Sequence, residues 1–213
     1  MIGRPQVGVL AVQGAFVEHE RALRDVGADT AQVRTPEQLD GLDGLVIPGG
    51  ESTTFGLVAE RSGLLTALRE AVRSGLPVFG TCAGMIMLAE ATTTGPQPLV
   101  GGMDIVVRRN AFGRQVASFE ADIPVAGLGE AAVPAVFIRA PWIEDAGDGV
   151  EVLATYLGRA VAARQGDLLV MAFHPELTDD RRVHRLFVDM VRARRDNVAR
   201  GHAREGAVRV RAQ

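Results

Sequence analysis

The chain of 213 residues is 47% hydrophobic and 23% charged, a composition typical of one globular domain with a single sizeable core. Its net charge of −3 argues against a general attraction for nucleic acid, and no apolar run reaches the ~20 residues of a membrane span or forms a signal peptide. All 23 cationic side chains are arginine, which excludes chemistry that requires a lysine, such as a Schiff base or a phosphate-binding P-loop.

Strands and helices alternate in the predicted elements of roughly the first ninety residues. The first strand, residues 7–12, is a continuous apolar run, as expected for a strand buried on both faces of a parallel sheet. This alternation predicts a parallel, doubly wound sheet. The predicted strands are 7–12, 28–33, 44–47 and 78–79, and the predicted helices are 16–25, 53–61, 64–73 and 83–91, with a helical turn at 36–39.

The second half changes character, because its short predicted strands are separated by Gly and Pro residues. They predict an antiparallel or mixed extension of the same sheet, closed by a helix at 181–195. The sequence therefore predicts a single α/β domain over residues 1–196, followed by a basic and flexible tail at 197–213. The predicted strands of this half are 103–107, 116–121, 133–138, 150–155, 160–163 and 168–173.

The chain contains one cysteine, Cys82, which lies in a Gly-x-Cys-x-Gly turn. An apolar strand enters the turn and a helical segment leaves it, which is the layout of a nucleophile elbow with sulfur as the attacking atom. The helix N-terminus favours the thiolate. The alternative is a buried structural cysteine. A single cysteine also excludes an intrachain disulfide and is typical of a reducing cytoplasm, where we expect this chain to be located.

A thiolate nucleophile needs a base, and the chain offers four histidines. His174 follows the last apolar strand, so it lies at the carboxyl end of a strand, as Cys82 does. Glu176, two residues later, is placed to orient the imidazole, which completes a set of nucleophile, base and orienter. His19 and His184 lie within charged helix faces and are expected to serve solvation or local pairing, and the fourth histidine lies in the tail.

A second turn, Gly49-Gly50, ends the predicted strand at 44–47 and exposes backbone N–H groups. Such groups are what an oxyanion hole needs, because they can be aimed at a carbonyl oxygen as it gains charge. The N–H of Ala83, directly after the cysteine, is the usual second donor of an elbow. By itself a Gly-Gly turn is a weak signal, since most are only turns.

Three segments together resemble class I, or triad, glutamine amidotransferases, namely IPGGESTT at 47–54, GTCAG at 80–84 and FHPEL at 173–177. Further segments narrow the resemblance to the glutaminase subunits of pyridoxal 5′-phosphate synthases, namely VQGA at 12–15, RNAFGRQ at 109–115, SFE at 118–120 and FIRAP at 137–141. The resemblance runs from about residue 7 to residue 195. It implies a flavodoxin-like, three-layer fold.

The resemblance implies a reaction in which L-glutamine and water give L-glutamate and ammonia. Cys82 would attack the side-chain amide and form a γ-glutamyl thioester. His174 would take the thiol proton and hand it to the departing ammonia, and Glu176 would orient His174.

The resemblance also implies which groups hold the substrate. Gly50 and Ala83 would supply the oxyanion N–H groups, assisted by Gln13. A guanidinium grips a carboxylate through two parallel hydrogen bonds, which suits the α-carboxylate of glutamine. The implied glutamine-binding residues are Gly50, Glu51, Ser52, Arg109, Ile138 and Arg139.

A partner is implied as well: a separate (β/α)₈-barrel synthase subunit, which receives the ammonia and forms a dodecameric core decorated by glutaminase subunits. The synthase assembles pyridoxal phosphate through lysine adducts, and this chain has no lysine to offer. The glutaminase is implied to be nearly silent until the synthase docks. We expect no cofactor and no metal, since no cluster has ligand spacing and the hydrolysis requires none.

Two alternatives stay open at this stage. One is a glutaminase on the same fold that serves another pathway, such as histidine synthesis, against which the segment at 109–115 argues. The other is a non-catalytic binding or stress protein with a similar cysteine elbow, against which the His-Pro-Glu sequence at 174–176 argues. Ammonia release from glutamine, with and without the barrel synthase, would separate them.

Overall fold

The computed structural model describes residues 3–112 and 118–211, with side chains described as far as residue 200. Within these residues the helices are α1 (Phe16–Asp25), α2 (Ser52–Arg61), α3 (Leu64–Arg73), α4 (Ala83–Leu88) and α5 (Arg182–Arg211), with short 3₁₀ turns at Pro36–Leu39 and Pro175–Leu177. The strands are β1 (Gln6–Leu10), β2 (Asp29–Val33), β3 (Gly44–Ile47), β4 (Val78–Thr81), β5 (Ala89–Thr92), β6 (Met103–Arg108), β7 (Ser118–Ile123), β8 (Val133–Ile138), β9 (Trp142–Ala146), β10 (Glu151–Tyr156), β11 (Arg159–Gln165) and β12 (Leu168–Met171).

One ten-stranded sheet forms the centre of the domain, in the order β2-β1-β3-β4-β12-β11-β9-β6-β5, with β10 also paired to β11. The five strands from β2 to β12 are all parallel to their neighbours. Beyond β12 the sheet continues through antiparallel pairs, and its last pair, β5 with β6, is parallel again. The predicted parallel sheet with a mixed extension is therefore confirmed.

The helices cover the parallel half of the sheet in two layers. Along the sheet, β2 lies to one side of β1, whereas β4 lies to the opposite side of β3. Because crossover connections between parallel strands are right-handed, α1 lies on one face of the sheet and α2 and α3 lie on the other. Helix α1 packs against α5, whereas α2 packs against α3 and α4. Strands β3, β4 and β12 are buried along their whole length between these layers. Their carboxyl ends consequently meet at one edge, where ligand sites form in such sheets.

A hairpin outside the main sheet borders the same edge. Within the described residues, strands β7 and β8 pair with each other and with no other strand, and the amide of His174 donates a hydrogen bond to the carbonyl oxygen of Val136 in β8. Phe119 and Phe137 stack across the hairpin with ring centroids 4.6 Å apart, and Phe137 also packs against Phe173 below it. The hairpin is thus fixed over the strand that precedes His174.

The predicted elements differ from the structure at several points. The helix predicted at 83–91 ends at Leu88, because Ala89 turns to an extended conformation and residues 89–92 pair with β6. Strand β9 was not predicted, since its sequence carries two acidic residues at exposed positions and shows no continuous apolar run. The strand predicted at 116–121 begins outside the described residues, and its described part is β7.

The closing helix is longer than predicted, because α5 runs without a break past residue 196 to Arg211. The limit of the domain at residue 196 and the flexibility of the tail stay predictions. Among the residues that the model describes, no helix is both long and apolar enough to cross a membrane.

Candidate active site

Cys82 lies at the turn between β4 and α4 in a backbone conformation that few residues adopt. Its φ is 48° and its ψ is −102°, and the residue is only 7% exposed. A non-glycine residue is strained at positive φ, and such strain persists only where the surroundings enforce it. Gly80 and Gly84 on either side pack so closely together that a Cβ on Gly80 would overlap the carbonyl of Gly84. The predicted elbow is therefore present.

His174 faces the same turn from the end of β12. Gly49 packs against both side chains: a Cβ there would overlap the His174 ring and would lie 3.3 Å from the Cβ of Cys82. The Nδ1 atom of His174 lies 2.8 Å from Oε1 of Glu176. Because Nδ1 donates its proton to this carboxylate, Nε2 is the ring nitrogen left to exchange a proton with the thiol. The structure thus brings Cys82, His174 and Glu176 together, as the sequence predicted.

The charges of these groups support one another. Burial disfavours a charged His174, but its hydrogen bonds with Cys82 and with Glu176 outweigh burial and raise its pKa to about 10. Burial also disfavours an ionised Glu176, but His19 and His174 together hold the pKa of that carboxyl far below its usual value. An imidazolium beside a carboxylate stabilises a neighbouring thiolate, which is the reactive form of cysteine.

A cavity of about 120 Å³ opens beside the cysteine. It includes all six residues that the sequence analysis assigned to glutamine binding. Ala83 and Gln13 are not part of its lining, and the amide of Gln13 instead donates to the carbonyl oxygen of Glu51 at 2.9 Å. The residues that line the cavity are Gly50, Glu51, Ser52, Cys82, Ile86, Arg109, Asn110, Ile138, Arg139 and Pro141.

Arg109 is held in place by groups from three directions. Its guanidinium donates to Oε1 of Glu51 at 2.6 Å, to Oγ1 of Thr53 at 2.8 Å and to the side-chain oxygen of Gln97 at 3.0 Å. Gln97 also contacts the hydroxyl of Ser52. Gln97 could not be predicted from the sequence, because it lies in an irregular loop with no neighbouring motif.

Glu51 has a second role beside its ion pair with Arg109. It is the N-cap of α2, and its carboxylate accepts hydrogen bonds from the backbone N–H groups of Thr53 and Thr54. Burial disfavours an ionised Glu51, but these bonds and the charge of Arg109 outweigh burial and lower its pKa. The carboxylate is therefore fixed at the rim of the cavity.

The Gly49–Gly50 turn is shaped by close backbone contacts. The carbonyl oxygen of Gly49 packs against Gly14 so closely that Gly14 has no room for a Cβ. Because no peptide bond in the described chain is cis, the amide N–H of Gly50 points away from that carbonyl. Gly50 itself has a φ of 148°, and a Cβ there would meet the side chain of Gln13 at 2.8 Å. The turn therefore requires both glycines.

The fold and this arrangement agree with comparisons to known proteins. The model of the SNO glutamine amidotransferase family matches residues 9–193. The chain belongs to this family. It is 62% identical over 191 residues to the pyridoxal 5′-phosphate synthase subunit PdxT of Parafrankia sp. (strain EAN1pec), covering 89% of this chain and 94% of that protein. It is 59% identical to the subunit of the same name from Mycobacteroides abscessus, covering 89% and 98% respectively.

Solved structures give the same picture of the SNO family fold. A crystal structure of a glutamine amidotransferase superimposes with a TM-score of 0.83 at 49% identity, over 87% of this chain and 98% of that one. A glutamine amidotransferase from Thermotoga maritima superimposes with a TM-score of 0.58 at 14% identity, over 93% of this chain and 86% of that one, a likeness of fold alone. The predicted family and fold class are confirmed.

The expectation for His19 and His184 is wrong. Both residues are fully buried, and they contact each other rather than solvent. His19 lies between Glu18 and Glu20, and these acidic neighbours suggested an exposed helix face. The signal that could have found these histidines is helical spacing, because each begins a stripe of buried apolar residues at the third, fourth and seventh positions that follow. The two stripes are His19, Ala22, Leu23 and Val26, and His184, Phe187, Val188 and Val191.

Proposed function

We propose that this chain hydrolyses L-glutamine to L-glutamate and ammonia as the glutaminase subunit of a pyridoxal 5′-phosphate synthase. The single observation that carries the proposal is the meeting of Cys82, His174 and Glu176 beside a cavity at the carboxyl edge of the sheet. The family to which the chain belongs and the printed names of its relatives supply the substrate.

In the proposed reaction, Cys82 attacks the side-chain amide carbon of glutamine. His174 accepts the thiol proton on Nε2 and delivers it to the amide nitrogen, so that ammonia leaves and a γ-glutamyl thioester remains. His174 then removes a proton from water, which attacks the thioester carbon, and His174 delivers that proton to the departing sulfur as glutamate is released. Glu176 holds the imidazole in the required tautomer and stabilises its charged form.

The oxyanion that forms on the amide carbon needs donors close to Cys82. The N–H of Ala83 is the first of helix α4, and a helix leaves its first N–H groups without partners inside the helix. The N–H of Gly50 is the second donor that we propose, and it stands on a residue that lines the cavity. Gln13 would act indirectly, because its side chain packs against Gly50 and holds the carbonyl of Glu51.

The proposed glutamine site places the α-carboxylate near Arg109 and Arg139, both of which line the cavity. Glu51 is the acidic group of this cavity and suits the α-ammonium group. The backbone at Ile138 borders the reacting atoms, since its carbonyl oxygen lies 3.9 Å from the sulfur of Cys82. Ser52 is fixed by Gln97, which also holds Arg109.

We further propose that the ammonia passes to a (β/α)₈-barrel synthase subunit in a complex with a dodecameric synthase core. The absence of lysine means that this chain cannot form the lysine adducts of cofactor assembly, so the second half of the reaction needs another protein. The proposed compartment is the cytoplasm, where a catalytic thiol stays reduced.

Ammonia release from L-glutamine by the purified chain, with and without the synthase subunit of the same organism, tests this function. We expect hydrolysis that requires or is strongly increased by the synthase, and loss of hydrolysis in Cys82→Ala while the variant still binds the synthase. Absence of ammonia in both conditions, with correctly folded protein, would reject the function. Activation by the synthase of a different glutamine-dependent pathway instead would reject the proposed partner alone.

A further inference from the structure

A line of buried polar side chains continues behind Glu176, away from the substrate cavity. Glu176 uses Oε1 to accept the hydrogen bond from His174, and its second oxygen, Oε2, is fully buried without a well-aligned hydrogen bond among the described residues. The Nε2 atom of His19 lies 3.3 Å from this oxygen. A buried carboxylate oxygen without a polar neighbour destabilises the fold, so the nearby N–H-bearing ring of His19 stabilises this oxygen.

His19 contacts three polar groups at once. Besides Glu176, its Nε2 atom lies 3.2 Å from the hydroxyl oxygen of Thr81, the residue directly before Cys82. Its Nδ1 atom lies 3.0 Å from Nε2 of His184, on helix α5. Phe79 packs edge-on against both imidazoles, with ring centroids at 6.1 Å and 5.9 Å. The line therefore runs through an apolar interior and connects four elements, namely α1, β4, α5 and the 3₁₀ turn at Pro175–Leu177.

The hydrogen-bond partners determine where the protons lie. Nδ1 of His184 is buried with no protein partner within the described residues, and an unmatched acceptor nitrogen costs less there than an unmatched N–H. The proton of His184 therefore lies on Nε2, which donates to Nδ1 of His19. His19 must then carry its own proton on Nε2, which faces the hydroxyl oxygen of Thr81 at 3.2 Å and lies beside Oε2 of Glu176 at 3.3 Å. Burial also lowers the pKa of His184 to about 3, which keeps it neutral.

We infer that His19 and His184 form an extension of the catalytic triad, in which both are positioning residues that fix Glu176 from behind. The His19 ring approaches Oε2 at 3.3 Å and His174 donates to Oε1, so Glu176 lies between two imidazoles, one beside each oxygen. The Nε2–H group of His19 also contacts the hydroxyl of Thr81, which directly precedes Cys82. His19 therefore links the carboxylate of Glu176 to the turn that carries Cys82. The expected effect of this extension on catalysis rests on the proposed glutaminase function. The positions of its protons do not depend on that function.

This arrangement should matter to the rate rather than to substrate binding. A carboxylate held on one side only can rotate, and a rotated Glu176 would no longer align the imidazole with the thiol. His19 and His184 lie behind Glu176 and do not line the cavity. A fault in the extension is therefore expected to lower kcat and leave KM nearly unchanged.

The proton positions can be measured directly on the wild-type chain by long-range ¹H–¹⁵N correlation spectra of its four histidines. We expect His184 to be neutral near pH 7 with its proton on Nε2, and His19 to carry a proton on Nε2. A His184 protonated on Nδ1, or a His19 without a proton on Nε2, would overturn the inference. This measurement needs neither activity nor a variant, so it stands apart from failure of the proposed function.

Two variants of His19 then test the effect on catalysis in the complex with the synthase. Gln places an amide N–H near the position of Nε2, whereas Leu has similar volume and no donor. We expect His19→Leu to lower kcat by about 10-fold or more with KM within about twofold, and His19→Gln to recover most of the loss. Glu20→Gln, on the same turn of α1 but paired with Arg24 instead, serves as the control and should leave kcat unchanged.

The outcomes separate cleanly. Equal kcat in the wild type and in a folded His19→Leu would overturn a role in positioning, as would equal losses in the Leu and Gln variants with equal melting temperatures. If His19→Leu does not fold, the spectra of the wild-type protein and the activity of His19→Gln still decide the question. If the wild-type complex releases no ammonia, the proposed function fails, while the spectra still test the extension.

Discussion

Gly84, in the first turn of the elbow helix, packs directly on the carbonyl oxygen of Ile47 at the end of β3, so closely that a Cβ on Gly84 would overlap it. This contact brings the helix that follows Cys82 onto the strand that leads to the Gly49–Gly50 turn. The nucleophile and the proposed oxyanion donors are therefore held together by backbone contact.

Gly84→Ala should destabilise the fold, because a backbone carbonyl cannot move aside as a flexible side chain can. We expect a loss of about 1–3 kcal/mol in the free energy of unfolding, measured by urea denaturation. Gly3→Ala is the control, since nothing lies within 4 Å of a Cβ at that position, and it should change stability by less than about 0.5 kcal/mol. Equal stability of the Gly84 variant and the wild type would show that the contact is looser than described.

The strain at Cys82 predicts an unusual ranking of two inactive variants. Both Cys82→Gly and Cys82→Ala lack the sulfur, but only glycine adopts a φ of 48° with a ψ of −102° at low cost. Cys82→Gly should therefore be more stable than Cys82→Ala by about 1 kcal/mol. Ala83→Gly, at a position with helical backbone, should instead lower the stability of the fold. A Gly variant at position 82 that is less stable than the Ala variant would contradict the strain.

Arg109 should contribute to substrate binding more than to the chemical step. Replacing it with Gln removes the charge proposed for the α-carboxylate, so KM for glutamine should rise by about 10-fold or more while kcat changes less. Arg108→Gln is the matched control, because the guanidinium of Arg108 pairs with Glu144 and does not line the cavity. Steady-state kinetics of ammonia release measure both. An unchanged KM in Arg109→Gln, or an equal rise in the control, would remove Arg109 from the site.

The raised pKa of His174 predicts how its contribution to stability depends on pH. The folded-state pKa of about 10 lies above the ordinary value of 6.5, so charged His174 stabilises the fold fully below about pH 6.5 and this contribution is lost as the pH rises toward 10. The stability difference between the wild type and His174→Gln should therefore shrink from pH 6.5 to pH 10 in urea denaturation. A difference that grows over this range would contradict the ion pair.

Cys82 supplies a control for that experiment. Its hydrogen bond is the largest influence that raises the pKa of His174. In a Cys82→Ala background, the contribution of His174 should accordingly disappear at lower pH than in the wild type. Identical pH profiles in the two backgrounds would show that the thiol and the imidazole do not interact.

The sequence was most informative where short motifs fix the local backbone. The glycines of these motifs predicted the elbow and both strand ends, although only the contact of Gly80 with Gly84 is local and the others are made by residues distant in the sequence. His174 and Glu176 belong to one turn, and their meeting depends on only two residues of chain.

What the sequence did not reveal depends on contacts between distant residues. His19 and His184 are 165 residues apart, and only the packing of α1 against α5 buries them as a pair. Strand β5 follows α4 without a turn signal, because its extended conformation is set by pairing with β6. These features result from tertiary packing, so they cannot be predicted from the local sequence pattern.

The central claim is that the sulfur of Cys82 forms a covalent bond with the γ-carbonyl of glutamine. The most direct test is to mix the chain and its synthase partner with L-glutamine, quench with acid, and map the modified peptide by mass spectrometry. The account predicts a γ-glutamyl adduct on Cys82, absent from Cys82→Ala and increased in a variant of His174 that is slow to hydrolyse the thioester. Glutamine turnover with an unmodified Cys82, or with the adduct on another residue, would contradict it.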